Sequence, residues 1–82
     1  MTNTMRLIEY LRIQSKLTQA QLAKQLQMHE QQYSNIRLGK CNLPDKYIPK
    51  ISQIFNIPIE TIIYEMTKDY VYKLRKKHLG EA

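Results

Sequence analysis

The chain has 82 residues, of which 43% are hydrophobic and 24% charged, as in an ordinary single folded domain. No apolar run approaches the roughly 18 residues that a membrane helix needs, and the N-terminus lacks the apolar stretch of a secretory signal. These features exclude a membrane span and predict a cytoplasmic location. Thirteen Lys and Arg residues against seven Asp and Glu give a formal charge of +6, which favours a polyanionic partner.

The first two helices are predicted from apolar spacing and from capping residues. Apolar residues recur on one helical face over 5–11, with a threonine at position 2 or 4 available as the N-cap. A second helix begins at Thr18, where the sequence TQAQ forms a capping box between the side chains and amides of Thr18 and Gln21. It is expected to end near Gln27. Its buried stripe is predicted to be Leu22, Ala23 and Leu26.

A third helix is predicted over 30–38. Tyr33 and Ile36 set up a new apolar face there, and Gly39 supplies a residue that tolerates positive φ after the last turn. Three of the other side chains of this segment, Gln31, Gln32 and Asn35, are uncharged amides, which is unusual for the surface of a small domain. This polar face is therefore a candidate binding surface.

Three further helices are predicted in the second half of the chain. Asp45 is expected to cap the fourth, with Pro49 at its first position or at a small kink. Asn56 is expected to end that helix in a left-handed conformation, and Pro58 opens a short fifth helix. A sixth is predicted over 67–79, ending before Gly80. From residue 68 to 82 the chain carries five basic and two acidic side chains, so this tail is disproportionately cationic.

Three short stretches together form a pattern. They are LTQAQLAKQLQMH at 17–29, YSNI at 33–36, and GK with a following Pro at 39–44. The pattern resembles the phage-repressor type of helix-turn-helix, the Xre or lambda-repressor-like family, over about residues 12–63. The resemblance implies an all-α fold: a compact five-helix lambda-repressor-like helix-turn-helix domain, with an additional C-terminal helix.

In that family the helix after the turn lies in the DNA major groove, and its early exposed positions contact base edges. The matching positions here are Glu30, Gln31, Gln32 and Asn35. A Gln or Asn amide can donate to adenine N7 and accept from the N6 amino group, with about 1 to 3 kcal/mol of discrimination. Glu30 can accept from a cytosine amino group, or can act by repelling wrong sites.

The same resemblance implies a set of residues that hold DNA phosphates. Gln19 matches the first position of the second helix, where side chain and helix amides bind a phosphate. The loop and helix start that follow the third helix provide Lys40, Asn42 and Lys46. Arg37, favoured by the C-terminal end of its helix dipole, is expected to reach a phosphate as well.

Three positions depart from the family pattern. Gln27 stands where the turn usually has Gly, so a left-handed backbone there would cost about 1 kcal/mol. Arg37 replaces the Glu that usually pairs with an arginine on the first helix, here Arg12. Arg12 is instead expected to turn to Glu9, one turn back. Leu38 stands where the family usually has a polar residue.

The leading interpretation is a sequence-specific double-stranded DNA-binding transcriptional regulator, a repressor that binds a palindromic operator as a dimer. The helix-turn-helix domain is assigned to 1–64 and a basic helical extension to 65–82. The face around 70–74 could pack on its own domain, pair with a second copy or follow DNA; dimerisation is placed first because paired half-sites need two protomers.

The alternative is a protein-interaction module, the antitoxin of a toxin-antitoxin pair, with a protein partner at 67–79. An RNA-binding function is disfavoured because the chain lacks the aromatic sheet or Gly-rich clamp that holds single strands. The lone Cys41 and two histidines give no metal-ligand spacing, and no catalytic motif is present. The sequence therefore predicts neither enzymatic activity nor a bound metal or cofactor.

Overall fold

The computed structural model of the protein describes residues 1–78, and the regular structure of this part is helical throughout. The predicted end of the last helix before Gly80 lies outside the described residues. The helices are α1 (Asn3–Gln14), α2 (Gln19–Gln25), α3 (Glu30–Arg37), α4 (Ile48–Phe55) and α5 (Ile59–His78), with a 3-10 turn (Asp45–Tyr47) before α4. The all-α prediction is confirmed, with five α-helices among the described residues.

The starts and ends of α1 and α2 follow local sequence. Thr2 is the N-cap of α1, and its hydroxyl accepts from the Met5 amide at 3.2 Å. The capping box of α2 is confirmed: the Thr18 hydroxyl accepts from the Gln21 amide at 3.1 Å, and the Gln21 side chain accepts from the Thr18 amide at 2.8 Å. After α2, Gln27 has a φ of 57°, the left-handed conformation in which the family usually has Gly.

The segment between α3 and α5 differs from the prediction at one point. Asp45 lies inside the 3-10 turn and does not cap α4, which begins at Ile48 without a side-chain cap and has Pro49 in its first turn. A proline there loses no hydrogen bond, because the first helical amides have no partner within the helix. The two left-handed residues expected at helix ends are confirmed, Gly39 with φ 84° and Asn56 with φ 52°.

The predicted fifth and sixth helices are one continuous helix, α5, of 20 residues. Thr67 does not cap a new helix, because its hydroxyl donates to the Ile63 carbonyl at 2.9 Å, one turn earlier in the same helix. An ion pair between Lys68 and Glu65, 2.7 Å long, spans the expected break. At 1.5 Å per residue, α5 is about 30 Å long.

The core lies where α1, α2, α3 and α4 meet the first half of α5. Its largest fully buried side chains are Met5, Ile8, Leu22, Tyr33, Ile51 and Ile62. The residues predicted to pack between α2 and α3 are buried, and Ala23 among them is 1% exposed. A small residue there lets α2 and α3 approach closely, and this close packing sets the crossing angle between the two helices.

Candidate nucleic-acid interface

The inner face of α3 holds this helix against the domain. Tyr33 and Ile36, three residues apart and each 2% exposed, lie on that face. The four residues predicted to contact bases are exposed or partly buried: Glu30 and Gln31 are exposed, and Gln32 and Asn35 are partly buried. The structure therefore leaves an amide-rich face of α3 accessible.

Two of these amides are joined to each other. Gln31 Nε2 donates to Asn35 Oδ1 at 3.1 Å, across one turn of α3. Within residues 1–78, no other hydrogen bond uses either side chain, so the pair presents the Gln31 carbonyl oxygen as an acceptor and the Asn35 amino group as a donor. An acceptor and a donor are the two group types that the N6 and N7 edge of adenine requires in the major groove.

A buried carboxylate on α1 positions α3. Glu9 Oε2 accepts from the Tyr33 hydroxyl at 2.7 Å and from Arg12 Nε at 2.6 Å. Its other oxygen accepts from Arg12 Nη2 at 3.2 Å and from Gln19 Nε2 at 3.4 Å. One carboxylate thus links α1, α2 and α3. Arg12 also donates to the Leu17 carbonyl at 2.6 Å, and this hydrogen bond fixes the position of the segment before α2.

The pairing of Arg12 with Glu9 confirms the sequence prediction, but the Tyr33 contact was missed. A signal for it existed, because a tyrosine on a buried helical face must find a partner for its hydroxyl. The sequence alone does not give the rotation of α1 relative to α3. That rotation brings Glu9 to the Tyr33 hydroxyl.

The contacts among Glu9, Arg12 and Tyr33 determine which of these side chains are charged. Burial raises the pKa of Glu9, but hydrogen bonds from Arg12 and Tyr33 and the positive charges of Arg12 and Arg37 outweigh it, so the pKa lies below its ordinary value. Burial and the hydrogen bond to Glu9 raise the pKa of the Tyr33 hydroxyl. Tyr33 therefore stays a neutral donor and Glu9 a charged acceptor at neutral pH.

Arg37 was expected to be free of any partner within the chain, and its side chain makes no hydrogen bond or ion pair among residues 1–78. Its Nε is buried and has no hydrogen bond among the described residues, while its charge acts on Glu9 and lowers the pKa of that carboxyl. The charges between α1 and α3 are therefore reversed relative to the family pattern, with the acid on α1 and the base on α3.

The remaining residues predicted to bind phosphates lie at two places. Gln19 is partly buried at the start of α2, with its amide turned to Glu9. Lys40, Asn42 and Lys46 are exposed in the loop and turn after α3. Asn42 Oδ1 accepts from Lys73 Nζ of α5 at 2.9 Å, a contact that sequence reasoning missed.

The sequence model of the family described as Helix-turn-helix matches residues 8–62. The chain belongs to this Xre, lambda-repressor-like helix-turn-helix family. The family is one of DNA-binding regulators and is not typically enzymatic. Comparisons with curated proteins and with solved structures gave no significant match.

The helix-turn-helix motif of this chain consists of α2, the turn at Gln27 and α3. No helix within residues 1–78 is long and apolar enough to cross a membrane. The same part of the chain contains no group of acidic, cysteine and histidine side chains that could hold a metal ion.

Beyond the residues matched by the helix-turn-helix family, α5 packs against α1. Asp69 Oδ1 accepts from the Asn3 amide at 2.8 Å, and Asp69 Oδ2 accepts from the Thr4 amide at 3.0 Å and the Thr4 hydroxyl at 2.6 Å. A carboxylate at a helix N-terminus is stabilised by the free amides and by the helix dipole. Through Asp69, this part of the C-terminal extension packs on its own domain.

Proposed function

We propose that this helix-turn-helix protein is a sequence-specific double-stranded DNA-binding repressor that occupies a palindromic operator as a homodimer. The observation that carries the proposal is the accessible amide pair of Gln31 and Asn35 on a helix whose opposite face is fixed by the Tyr33 to Glu9 hydrogen bond. A rigid helix with outward amides is what direct reading of base edges requires.

In this proposal, the exposed face of α3 enters the major groove. The base-contacting residues are Glu30, Gln31, Gln32 and Asn35. The phosphate-contacting residues are Gln19, Arg37, Lys40, Asn42 and Lys46. The first set gives sequence preference and the second gives affinity and orientation, because phosphates carry no sequence information.

The test of base reading is selection of bound duplexes from a random pool at two salt concentrations. Gln31→Ala and Asn35→Ala should each relax preference at one or two base pairs, by about 1 to 3 kcal/mol per base pair. Affinity for unselected DNA should stay nearly unchanged. Gln53→Ala, which removes an exposed amide from α4, is the matched control. Selection of no preferred sequence by the unmodified protein would contradict the proposal.

Arg37 is tested by the salt dependence of binding. If its guanidinium reaches a phosphate, Arg37→Ala should weaken binding to all sequences alike and lower the salt slope by about one. The charge of Arg37 also acts on Glu9, so thermal melting of the variant must be measured in parallel. An unchanged salt slope in a folded variant would assign Arg37 to the α1–α3 contact alone.

The proposed dimer surface is an exposed apolar stripe on α5 beside the start of α4. Its members recur at helical spacing, and they are Ile59, Ile63, Tyr70 and Leu74. The first three border a groove that Ile48 and Pro49 also line. A two-fold dimer would place two copies of α3 about 34 Å apart, one turn of DNA. Exposed apolar surface of this kind favours association with a second copy.

Two tyrosines of equal exposure give a matched test of the dimer. Tyr70, on the stripe, is 63% exposed, and Tyr72, about 200° away around the helix, is 64% exposed. Tyr70→Glu should shift the protein to monomer in sedimentation experiments, whereas Tyr72→Glu should not. Monomers at all concentrations in the unmodified protein would reject the dimer without affecting base reading.

A further inference from the structure

The face of α5 that contacts the domain changes character along the helix. Ile62 is fully buried and Met66 packs against the core, Asp69 holds the N-terminus of α1, and Lys73 contacts the loop after α3. These four residues are three or four positions apart, so they form one face of the helix. The face begins apolar and becomes cationic at Lys73, where it contacts the loop after α3.

The last turns of α5 that the structure describes are rich in positive charge. Residues 70–78 contain four Lys and Arg residues and no Asp or Glu, and all of them are exposed. The ion pairs of the described residues are Arg12 with Glu9 and Lys68 with Glu65, so none involves these turns. The helix dipole favours the cations of the final turn, Arg75, Lys76 and Lys77, but does not account for Lys73, which lies before that turn.

The position of Lys73 connects this charge to the proposed DNA surface. Asn42, its partner, follows the end of α3 by five residues and lies in the same loop as Lys40. Lys76 and Lys77 come three and four residues after Lys73, so helical spacing places them on both sides of the same face. Arg75 lies about 200° from Lys73 and so on the far side of the helix.

We propose that Lys73, Lys76 and Lys77 of α5 form a second phosphate-binding element, which contacts the DNA backbone next to the phosphates held by the loop after α3. The inference rests on the proposed DNA-binding function and extends its footprint to the C-terminal helix. A membrane surface fits less well, since it would need cations on both sides of the exposed apolar stripe of α5, whereas Lys73, Lys76 and Lys77 all lie on one side of it.

The test measures the affinity of the full chain for a 30-base-pair duplex of mixed sequence, by fluorescence anisotropy at 50 and 200 mM salt. Lys76→Ala and Lys77→Ala should each lower the salt slope by about 0.9, so that the affinity advantage of the unmodified protein shrinks about 3.5-fold between the two salt concentrations. Arg75→Ala removes the same charge from the opposite side and should leave the slope unchanged. Melting temperatures of all three variants should match, because the substituted residues are exposed.

Three outcomes overturn the inference. Equal slope changes in all three variants would show a general charge effect without contact, and unchanged slopes would show that α5 does not reach the backbone. Weakened binding to an RNA duplex with unchanged binding to DNA would assign the lysines to RNA. Absence of duplex binding by the unmodified protein would defeat the proposed function itself, which separates that failure from failure of this inference.

Discussion

Two carboxylates dock two different helices onto α1, and they do so in different ways. Glu9 lies within α1, is 8% exposed, and accepts hydrogen bonds from residues of α1, α2 and α3. Asp69 lies on α5, is partly buried, and accepts from two backbone amides and one hydroxyl at the start of α1. The first is a charged network in the interior, and the second is a helix cap supplied from another helix.

The difference shows where this fold is rigid. A buried carboxylate with a charged partner is costly to leave unpaired, so the Glu9 network holds α3 firmly in one orientation. The Asp69 cap contributes less stabilising free energy and acts only at the start of α1, so the second half of α5 is attached more loosely to the domain. The helix proposed to read bases thus has stronger support than the helix proposed to hold flanking phosphates.

Removal of Glu9 should give the largest effect. Glu9→Ala leaves Arg12 without its ion-pair partner and the Tyr33 hydroxyl without an acceptor, and should lower the free energy of unfolding by about 3 kcal/mol. Urea denaturation followed by circular dichroism measures this change. Glu60→Ala, which removes an exposed carboxylate from the first turn of α5, should cost no more than about 1 kcal/mol. Equal losses in both variants would refute a special role for Glu9.

Removal of the Tyr33 hydroxyl should give the next largest effect. Tyr33→Phe keeps the buried ring but removes one hydrogen bond to a charged group, so it should cost about 2 kcal/mol. Tyr10→Phe is the matched control, since Tyr10 is 61% exposed. A double-mutant cycle with Glu9→Ala should show that the two changes are not additive. Additive effects would mean that the contact between α1 and α3 contributes little.

Removal of the α5 cap should cost less. Asp69→Ala leaves the first amides of α1 and the Thr4 hydroxyl without their acceptor, so we expect a loss of about 1 kcal/mol. Asp45→Ala removes an exposed carboxylate that caps no helix and should change stability by less than about 0.5 kcal/mol. Hydrogen exchange should accelerate at the start of α1 in Asp69→Ala only. Unchanged exchange there would contradict the docking role of Asp69.

Acidification should give the smallest effect, because a protonated carboxyl keeps its side chain in place. Burial raises the pKa of Asp69, but hydrogen bonds from Thr4 and Asn3 outweigh it, so this pKa, like that of Glu9, lies below its ordinary value. The stabilisation from both groups is complete above their ordinary pKa values of about 4 and is lost as the pH falls through the lower folded-state values. Unfolding curves at a series of pH values should become less pH-dependent in Glu9→Gln and Asp69→Asn. A stability of the unmodified protein that rises on acidification would contradict this sign.

The parts of the fold that were predicted correctly depend on neighbours in the chain. The capping box at Thr18, the left-handed residues at Gly39 and Asn56, and the ion pair of Arg12 with Glu9 each involve residues one turn apart or less. The resemblance to the helix-turn-helix family also came from one continuous region, which the family match confirms. For these features a single sequence contained the necessary information.

The parts that were missed join residues far apart in the chain. Tyr33 is 24 residues from Glu9, Lys73 is 31 from Asn42, and Asp69 is 66 from Asn3. Each of these contacts depends on how two helices are rotated and shifted against each other. The expected break at residue 67 was also wrong. The sequence has no Gly or Pro there to interrupt the helix, and the contacts of α5 with α1 extend along it.

The helical class, most helix starts and ends, and the amide-rich composition of α3 follow from the amino-acid sequence alone, because capping, turn chemistry and apolar spacing act over three or four residues. The role of Glu9 as the centre linking three helices, and the unbroken course of α5 past the loop after α3, emerged only from the folded arrangement of the helices. Both features come from packing in the core, where the fit of whole helix faces selects one arrangement among many that the local sequence allows.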